Sequence, residues 1–464
     1  MKAKSAFTAD EWETCIKVLK ALSREPDLAL DVTTLKGLVT KLHKNARKSV
    51  RKENMRTLKL ADKAVLEQTI MHQKNPLDGT EPIPALPENS ILSPLKTQRP
   101  LNCYSCKAAY QDIHFFYHLL CPACAQLNFD KRSQRTDLTN RTALITGGRI
   151  KIGYLTALQM LRDGARVLIT TRFPKDCAQR FSEETDFADW SGRLQVYGLD
   201  LRNIPVVEQF IDHLLVHEPK LDIIINNAAQ TVKRPLEFYN HLLAFEQTPV
   251  AMLAPALKQL LPLAAQTEFQ LLEKRQQLAL PNGNDYFPVG KLDKDRQQID
   301  LRPQNSWTLR LDEVDTIEML EVQLVNSVAP FLLNSRLKPL LKQSEFERKF
   351  IVNVSAMEGQ FARENKTAFH PHTNMAKAAL NMLTRTSAQD YACNGIYMNS
   401  VDTGWITQEN PFPKKTKIRE KGFVTPLDET DGMARIYDPI ARGIREAGTP
   451  LYGHFLKDYQ PYPW

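Results

Sequence analysis

Four cysteines stand close together in two Cys-x-x-Cys pairs. Cys103 and Cys106 form the first pair, Cys121 and Cys124 form the second, and 14 residues separate the pairs. Two such turns can direct four thiolates at one point, which is the tetrahedral ligand set that Zn²⁺ prefers, and a complete shell of four thiolates leaves no position for a catalytic water. We therefore predict one structural Zn²⁺; free thiols or a redox pair are the alternatives.

A glycine-containing turn stands between a predicted strand at residues 143–146 and a predicted helix at residues 154–162. Gly147 and Gly153 lie in this turn. Glycine permits a tight turn and a close approach of the helix to the strand, and the backbone N–H groups at the start of the helix can bind a pyrophosphate. The segment therefore predicts a site for a dinucleotide.

This turn resembles the Thr-Gly-x-x-x-Gly-Ile-Gly motif of the short-chain dehydrogenase/reductase superfamily, although Lys151 stands where that family has its middle glycine. Further motifs that resemble the family follow in the family's order: Asp200-Leu201, Asn226-Asn-Ala-Ala229, Asn326, Asn353-Val-Ser-Ala-Met-Glu-Gly359 and Lys377. The resemblance covers most of residues 135–464. It implies an α/β fold, a doubly wound parallel Rossmann sheet, that binds a nicotinamide dinucleotide.

The resemblance also implies which residues contact the cofactor. They are Thr146, Gly147, Arg149, Lys151, Ile152, Gly153, Arg172, Asp200, Leu201, Asn227, Ala228, Lys377, Gly404 and Thr407. Family members that prefer NAD place an acid at the end of the second strand, whereas this chain has Arg172, which can pair with a 2′-phosphate. We therefore predict NADP, with Arg149 and Lys151 adding positive charge, and NAD is the alternative.

The catalytic residues that the resemblance implies are incomplete. In the family, a tyrosine four residues before a lysine exchanges a proton with the substrate, and a serine upstream assists it. Asn326 and Lys377 match, but Thr373 replaces the tyrosine and Ala356 replaces the serine. Because an aliphatic hydroxyl is a far weaker acid than a phenol, Thr373 is a doubtful proton donor. Other candidate acids are His372, His370 and Glu358.

Residue composition and apolar periodicity divide the chain into four segments. Residues 1–75 have the apolar spacing of about three helices, and residues 76–100 hold six prolines and form a predicted linker. Residues 101–134 form the zinc-ribbon-like module, in which we predict His114 and His118 to lie on a helix. Residues 135–464 form the Rossmann domain, with an insertion at about 231–311 and a last strand at 451–457.

Charge and hydropathy restrict the partners. The net charge is +8, and the first 75 residues hold 16 Lys and Arg against 9 Asp and Glu, a net of +7. The basic run at residues 41–63 has no aromatic residue for base stacking, so we do not expect nucleic-acid binding. No uninterrupted apolar run approaches the roughly 18 to 20 residues of a membrane helix, and the start lacks an apolar signal core, so we expect no membrane segment and a cytoplasmic protein.

Two functions fit these residues. One is an oxidoreductase that uses an acid other than the usual tyrosine on an unknown small-molecule substrate. The other is a catalytically silent NADP-binding sensor or scaffold that presents its N-terminal segments to a protein partner. The helices that carry Asn326 and Lys377 are a candidate surface for that partner or for a homodimer.

Overall fold

The computed structural model describes residues 7–73, 95–262, 283–363 and 365–464. It divides into two units, one of Met1–Val65 with Lys96–Arg99 and one of Leu66–Leu95 with Pro100–Trp464. Most of the predicted linker therefore lies outside the described residues. Its last residues are a strand rather than a linker, because β1 begins at Leu95 and ends at Asn102.

Two helices make up most of the first unit. α1 spans Ala9–Arg24 and α2 spans Val32–Leu66. Thr8 begins α1 with a capping box, in which its hydroxyl accepts from the Glu11 N–H and its own N–H donates to the Glu11 carboxylate. Apolar side chains such as Trp12 are exposed. The helical prediction is correct in type, and no residue of α1 is buried.

The cysteine module lies in the second unit and is small. β1 pairs with β2 (Ala109–Ile113) in a two-stranded sheet, and α4 spans Pro122–Arg132. The predicted helix around His114 and His118 is wrong. The carbonyls there accept tertiary hydrogen bonds instead, from Ile70 N–H to Phe115 and from Tyr104 N–H to Leu119.

The rest of the second unit is built on an eight-stranded sheet of order β10-β9-β8-β7-β6-β3-β4-β5. Its strands are β3 (Thr142–Thr146), β4 (Arg166–Thr171), β5 (Leu194–Gly198), β6 (Ile223–Asn226), β7 (Lys349–Ser355), β8 (Ile396–Asp402), β9 (Phe455–Lys457) and β10 (Gln460–Tyr462). All neighbouring strands are parallel except β10, which pairs antiparallel with β9. The predicted last strand at 451–457 therefore begins later, at Phe455, and a tenth strand follows it.

Helices cover both faces of this sheet, so the doubly wound Rossmann prediction is confirmed. The remaining helices are α3 (Ile70–Gln73), α5 (Lys151–Arg162), α6 (Pro174–Ser182), α7 (Phe187–Trp190), α8 (Ile204–His217), α9 (Asn240–Gln247), α10 (Pro255–Lys258), α11 (Gly283–Tyr286), α12 (Thr316–Gln323), α13 (Ala329–Arg336), α14 (Lys338–Lys342), α15 (Pro371–Ala392), α16 (Phe412–Glu420) and α17 (Glu429–Arg445). α5, α6 and α17 pack on one face, for example through Phe181 and Ile440. α8, α13 and α15 pack on the other, for example through Phe210 and Leu333.

The predicted insertion at 231–311 is partly described, since residues 263–282 lie outside the described part of the chain. Leu253, Leu257 and Leu260 are buried in the core on the α5 face of the sheet. The Val196 N–H donates to the Leu260 carbonyl at 2.8 Å, so this segment runs beside the edge strand β5. Its packing covers a strand edge that would otherwise be open.

One helical stretch of the described residues, Thr316–Arg336, is long and apolar enough to cross a membrane by length and composition. The sequence expectation concerned uninterrupted apolar runs, and Glu318 and Glu321 interrupt this stretch. One such stretch is weak evidence, because core helices meet the same test, and Asn326 and Leu333 in this one are buried within the Rossmann domain.

Candidate active site

A cavity of about 980 Å³ opens at the carboxyl ends of the parallel strands. Residues that directly follow six strands line it, namely Gly147, Arg172, Leu199, Asn227, Ala356 and Thr403. Open α/β sheets bind their ligands at this edge, and the volume is near the upper end of the roughly 300 to 1,000 Å³ of small-molecule sites. The cavity is therefore the candidate site.

The glycines of the first turn are required by the backbone. Gly147 has φ of +69°, and a Cβ there would lie 2.9 Å from the Ala228 Cα. A Cβ on Gly153 would lie 2.3 Å from the Gly147 carbonyl oxygen and 2.4 Å from Asn227 Nδ2. Lys151 has φ of +54°, in the left-handed region, which explains why the family places glycine at this position.

Thr146 joins two of the turns that border the cavity. Its Oγ1 accepts hydrogen bonds from the N–H groups of Asn227 and Ala228, both at 3.0 Å. The Asn227 side chain donates in return to the Thr146 and Gly147 carbonyls, both at 3.1 Å. Thr146 is buried and does not line the cavity, so it positions the turn rather than facing a ligand.

All three predicted cationic side chains, Arg149, Lys151 and Arg172, line the cavity, but Arg149 and Arg172 have different partners. Arg149 is buried at the cavity wall and pairs with Asp176 at 2.6 Å, a carboxylate that Arg180 shares at 2.7 Å. Arg172 lines the cavity at the end of β4, where it donates to the Tyr239 hydroxyl at 2.6 Å and lies 4.7 Å from that ring's centroid. Tyr239 belongs to the insertion, so the insertion forms part of this wall.

The adenine-side candidates lie after β5. Asp200 and Leu201 line the cavity. Asp200 pairs with Arg202 at 2.5 Å. Burial opposes ionisation of this carboxyl, but the Arg202 guanidinium holds the pKa of Asp200 below its usual value. Asp200 is therefore an ionised side chain on the cavity wall, paired with Arg202.

Lys377 and Thr373 lie on the cavity wall one turn apart on α15. The Lys377 ammonium donates to the Val354 carbonyl at 2.8 Å, and burial lowers its pKa to about 8. The Thr373 hydroxyl is buried and has no hydrogen-bond partner among the described residues. No phenol of α15 stands beside Lys377, and Ala356 on the wall offers no hydroxyl.

Neither predicted histidine lines the cavity. His372 is buried with its Nε2 3.3 Å from a Glu318 carboxylate oxygen. His370 stacks on Trp307 with the ring centroids 4.0 Å apart. The structure therefore does not bring His372 or His370 to the candidate site, because α15 turns them toward the segment before and within α12. Glu358 does line the cavity and pairs with Arg363 at 2.5 Å.

Asn326 shapes the site without lining it. It lies in a π-helical segment, Leu324–Val328, between α12 and α13. Its side chain accepts from the Gln230 N–H at 2.7 Å and donates to the Gln230 carbonyl at 3.3 Å. Gln230 follows β6 and lines the cavity, so Asn326 fixes the backbone of that wall.

The loop after β8 forms a further part of the cavity wall. Gly404 has φ of +80°, and the Thr407 hydroxyl donates to Glu409 at 2.6 Å. Asp402 at the end of β8 also lines the cavity, and burial, with the Glu358 charge, raises its pKa to about 6. The sequence analysis did not single out Asp402, although it stands two residues before the predicted cofactor contact Gly404.

A side chain of the cysteine module completes this wall. Tyr104, between Cys103 and Cys106, lines the cavity, and its hydroxyl oxygen accepts from the Trp405 N–H at 2.8 Å. No sequence signal marked this residue, because its approach to β8 depends on how the module docks on the Rossmann domain.

The four cysteines converge in space. Their sulfur atoms all lie within 4.8 Å of one another, and the Cys106 and Cys121 sulfurs are 3.7 Å apart. Zn–S bonds of about 2.3 Å in a tetrahedron place sulfurs about 3.8 Å apart. The Cys121 N–H also donates to the Cys103 sulfur at 3.3 Å. These residues fit a Zn²⁺ ion, and neither His114 nor His118 joins the set.

Two family models match separate parts of the chain. The model described as short chain dehydrogenase matches residues 141–253, and the model described as Enoyl-(Acyl carrier protein) reductase matches residues 304–422. An uncharacterized protein of Acanthamoeba polyphaga mimivirus is 31% identical over 352 residues, which are 73% of this chain and 71% of that protein. The human Dehydrogenase/reductase SDR family member 13 is 38% identical over 112 residues, 23% of this chain and 28% of that protein.

Solved structures are similar to this chain at low sequence identity. The short chain dehydrogenase from Shigella flexneri has 17% sequence identity and a TM-score of 0.45, over 71% of this chain and 95% of that one. A short chain dehydrogenase from Burkholderia cenocepacia, solved in complex with NADP, has 18% identity and a TM-score of 0.44, over 69% and 97% of the two chains.

Proposed function

The chain belongs to the short-chain dehydrogenase/reductase superfamily, and from this premise we propose that it is an NADP(H)-dependent oxidoreductase whose proton donor is not the usual tyrosine. The observation that carries the proposal is the continuous cavity from the Gly147 turn to Lys377 and Gly404. It joins the candidate phosphate, ribose and nicotinamide contacts in one space.

The residues present fit a dinucleotide. Neither Gly147 nor Gly153 has room for a Cβ, so the backbone can approach a ligand closely there, and N–H groups at the start of α5 would meet a pyrophosphate. Arg172 would meet the 2′-phosphate, and Asp200 the adenine. The buried Lys377 ammonium donates to one carbonyl, which leaves further hydrogens for the ribose hydroxyls.

When bound, the reduced dinucleotide supplies a hydride. The chain's own contribution is to hold the substrate beside it and to exclude water. Lys377 keeps a positive charge near the ribose below its pKa of about 8. Thr373 and Ala356 offer no acidic hydroxyl, so the proton must come from another group on the wall. The Gly404–Thr407 segment would meet the nicotinamide amide.

Cofactor preference gives the first test. We expect NADPH to bind more tightly than NADH in a fluorescence titration, and Arg172→Ala to remove most of the difference. A hydrogen bond to a charged group contributes about 1.5 to 3 kcal/mol, or roughly 10- to 150-fold in affinity. Arg336→Ala on the exposed face of α13 is the control, because it removes the same charge away from the cavity. Equal affinities of the unmodified chain for the two cofactors contradict the assignment.

Turnover gives the second test and separates the two candidate functions. We expect NADPH consumption with at least one member of a panel of ketones, aldehydes, imines and activated alkenes. The buried, unpartnered Thr373 hydroxyl and the Ala356 substitution favour the silent alternative. Tight NADPH binding without consumption across the panel supports the sensor or scaffold, and consumption refutes it.

A further inference from the structure

The last residue of β8, Asp402, lies beside the position where the family has its serine. In the sheet Asp402 is the register partner of Ser355, the last residue of β7, and it lines the cavity. One of its carboxylate oxygens accepts from the Met357 N–H at 3.3 Å. Because Ala356 stands between Ser355 and Met357, the carboxyl lies next to the backbone of Ala356.

Lys377 approaches the same segment from α15. Its ammonium donates to the Val354 carbonyl at 2.8 Å, and a Cβ on Gly359 would lie 2.6 Å from the Lys377 carbonyl carbon. The segment from Val354 to Gly359 is therefore contacted by α15 through Lys377 and by β8 through Asp402. All three of Lys377, Ala356 and Asp402 line the cavity. The Asp402 carboxyl thus stands on the part of the wall where the family carries out proton transfer.

Asp402 differs from the other carboxylates of the cavity wall in its partners. Each of the others has an ion-pair or hydroxyl partner, namely Asp200 and Glu321 with Arg202, Glu358 with Arg363, Glu429 with Lys294 and Glu409 with the Thr407 hydroxyl. Among the described residues Asp402 has no cation within ion-pair distance, and its one hydrogen bond is the contact with Met357. Its second oxygen is therefore available to a ligand in the cavity.

We propose that Asp402 is the proton donor of the reduction and gives its carboxyl proton to the oxygen of a ketone or aldehyde. This inference rests on the proposed function. The carbonyl carbon accepts a hydride from the reduced dinucleotide, and the π-electron pair moves to the oxygen. That oxygen takes the proton of Asp402, and the resulting carboxylate regains a proton from water. The carbonyl compound becomes an alcohol, and the dinucleotide is oxidised.

The surroundings of Asp402 suit this role. Burial is the main reason that its pKa rises from 3.8 to about 6, and a pKa of this size leaves roughly a tenth of the carboxyl protonated at pH 7. A general acid is most effective when its pKa lies near the working pH. The charged and titratable groups that face it are Glu358 and Asp458, which raise the pKa, Lys457 and Arg435, which lower it, and the Tyr104 phenol.

Asp402→Asn tests the proposal, because the amide keeps an acceptor for the Met357 N–H but has no acidic proton. We expect kcat for ketone reduction to fall by about 100-fold or more, the usual contribution of a general acid, while NADPH affinity does not fall. Asp212→Asn, on the exposed side of α8, is the matched control and should keep its turnover. A smaller loss of kcat in Asp402→Asn overturns the proposal.

The pH profile separates a proton donor from a structural residue. In the unmodified chain kcat should be constant below about pH 6 and fall about ten-fold per pH unit above it, since the protonated carboxyl is the active form. Glu358→Gln should move this midpoint to lower pH, because the Glu358 charge raises the pKa of Asp402. Loss of turnover in Glu358→Gln at every pH would instead make Glu358 the donor.

A measurement without turnover completes the test. The infrared band of a protonated carboxyl, taken as the difference between the unmodified chain and Asp402→Asn, should appear as the pH falls through about 6 in the absence of substrate. Absence of this band down to pH 5 overturns the proposal for Asp402. If the unmodified chain binds NADPH but reduces no carbonyl compound, the proposed function fails and this inference fails with it.

Discussion

Asp402 should make the stability of the folded chain depend on pH. Asp402 is 6% exposed, and one carboxylate oxygen accepts from the Met357 N–H at 3.3 Å. Burial is the main reason that its pKa rises from 3.8 to about 6, and Glu358 and Asp458 add to the effect against the opposing Lys457 and Arg435. The ionised form is therefore disfavoured in the folded state.

The sign and size of the effect follow from this pKa. Below the ordinary pKa both states are protonated and the folded state carries no penalty. As the pH rises, the unfolded chain ionises first, so stability falls until the folded group ionises near pH 6. Between an ordinary value of 3.8 and a folded value of about 6, the full loss is about 3 kcal/mol.

Asp402→Asn should remove this penalty while keeping the acceptor for Met357. In urea denaturation followed by circular dichroism, we expect the free energy of unfolding of the variant to exceed that of the unmodified chain by about 3 kcal/mol at pH 8. At pH 5 this difference should be smaller by about 1.4 kcal/mol. Asp212→Asn, on the exposed side of α8, controls for the change in net charge. A stability gap that is the same at both pH values, or a variant that is less stable at pH 8, refutes the reasoning.

Three further outcomes are expected. Cys103→Ser should lower the zinc content from about one ion per chain and reduce thermal stability, as metal analysis and melting curves will show; a full zinc content would contradict the four-cysteine site. Gly153→Ala should weaken NADPH binding at least ten-fold and destabilise the fold by about 1 to 3 kcal/mol, because its Cβ would lie 2.3 Å from the Gly147 oxygen, and unchanged binding would disprove this. Thr373→Val should preserve or raise stability and change any turnover only modestly, since the hydroxyl has no partner among the described residues; abolished turnover with unchanged NADPH affinity would make Thr373 the acid.

Local patterns in the sequence predicted the Rossmann sheet well. The strands at β3, β4, β6 and β7 are runs of β-branched residues that are buried on both faces, and such runs are recognisable without any tertiary information. The glycines at 147 and 153 are likewise local requirements, because each permits a backbone approach that a side chain would block. The cysteine spacing predicted the convergence of four sulfurs for the same reason.

Other features depend on contacts between residues that are far apart in the chain. The segment around His114 and His118 has the composition of a helix, but its carbonyls pair with residues 70, 71 and 104, so it forms bends instead. His372 stands beside the catalytic position in sequence, yet the rotation of α15 directs it to Glu318. A periodic pattern in the sequence does not reveal these contacts, because each contact depends on which distant group is the better hydrogen-bond or ion-pair partner.

The sequence alone predicted the family, the sheet, the glycine turn after β3 and the convergence of four cysteines, because each of these is encoded by residues within a short stretch of chain. Only the tertiary structure shows which residues from distant segments line the cavity. The ion pairs of Arg132 with Asp428 and Asp431 span about 300 residues of sequence and place the cysteine module on the cavity. They bring Tyr104 to the Trp405 backbone, and no local pattern can record a contact between two segments that meet only after both have folded.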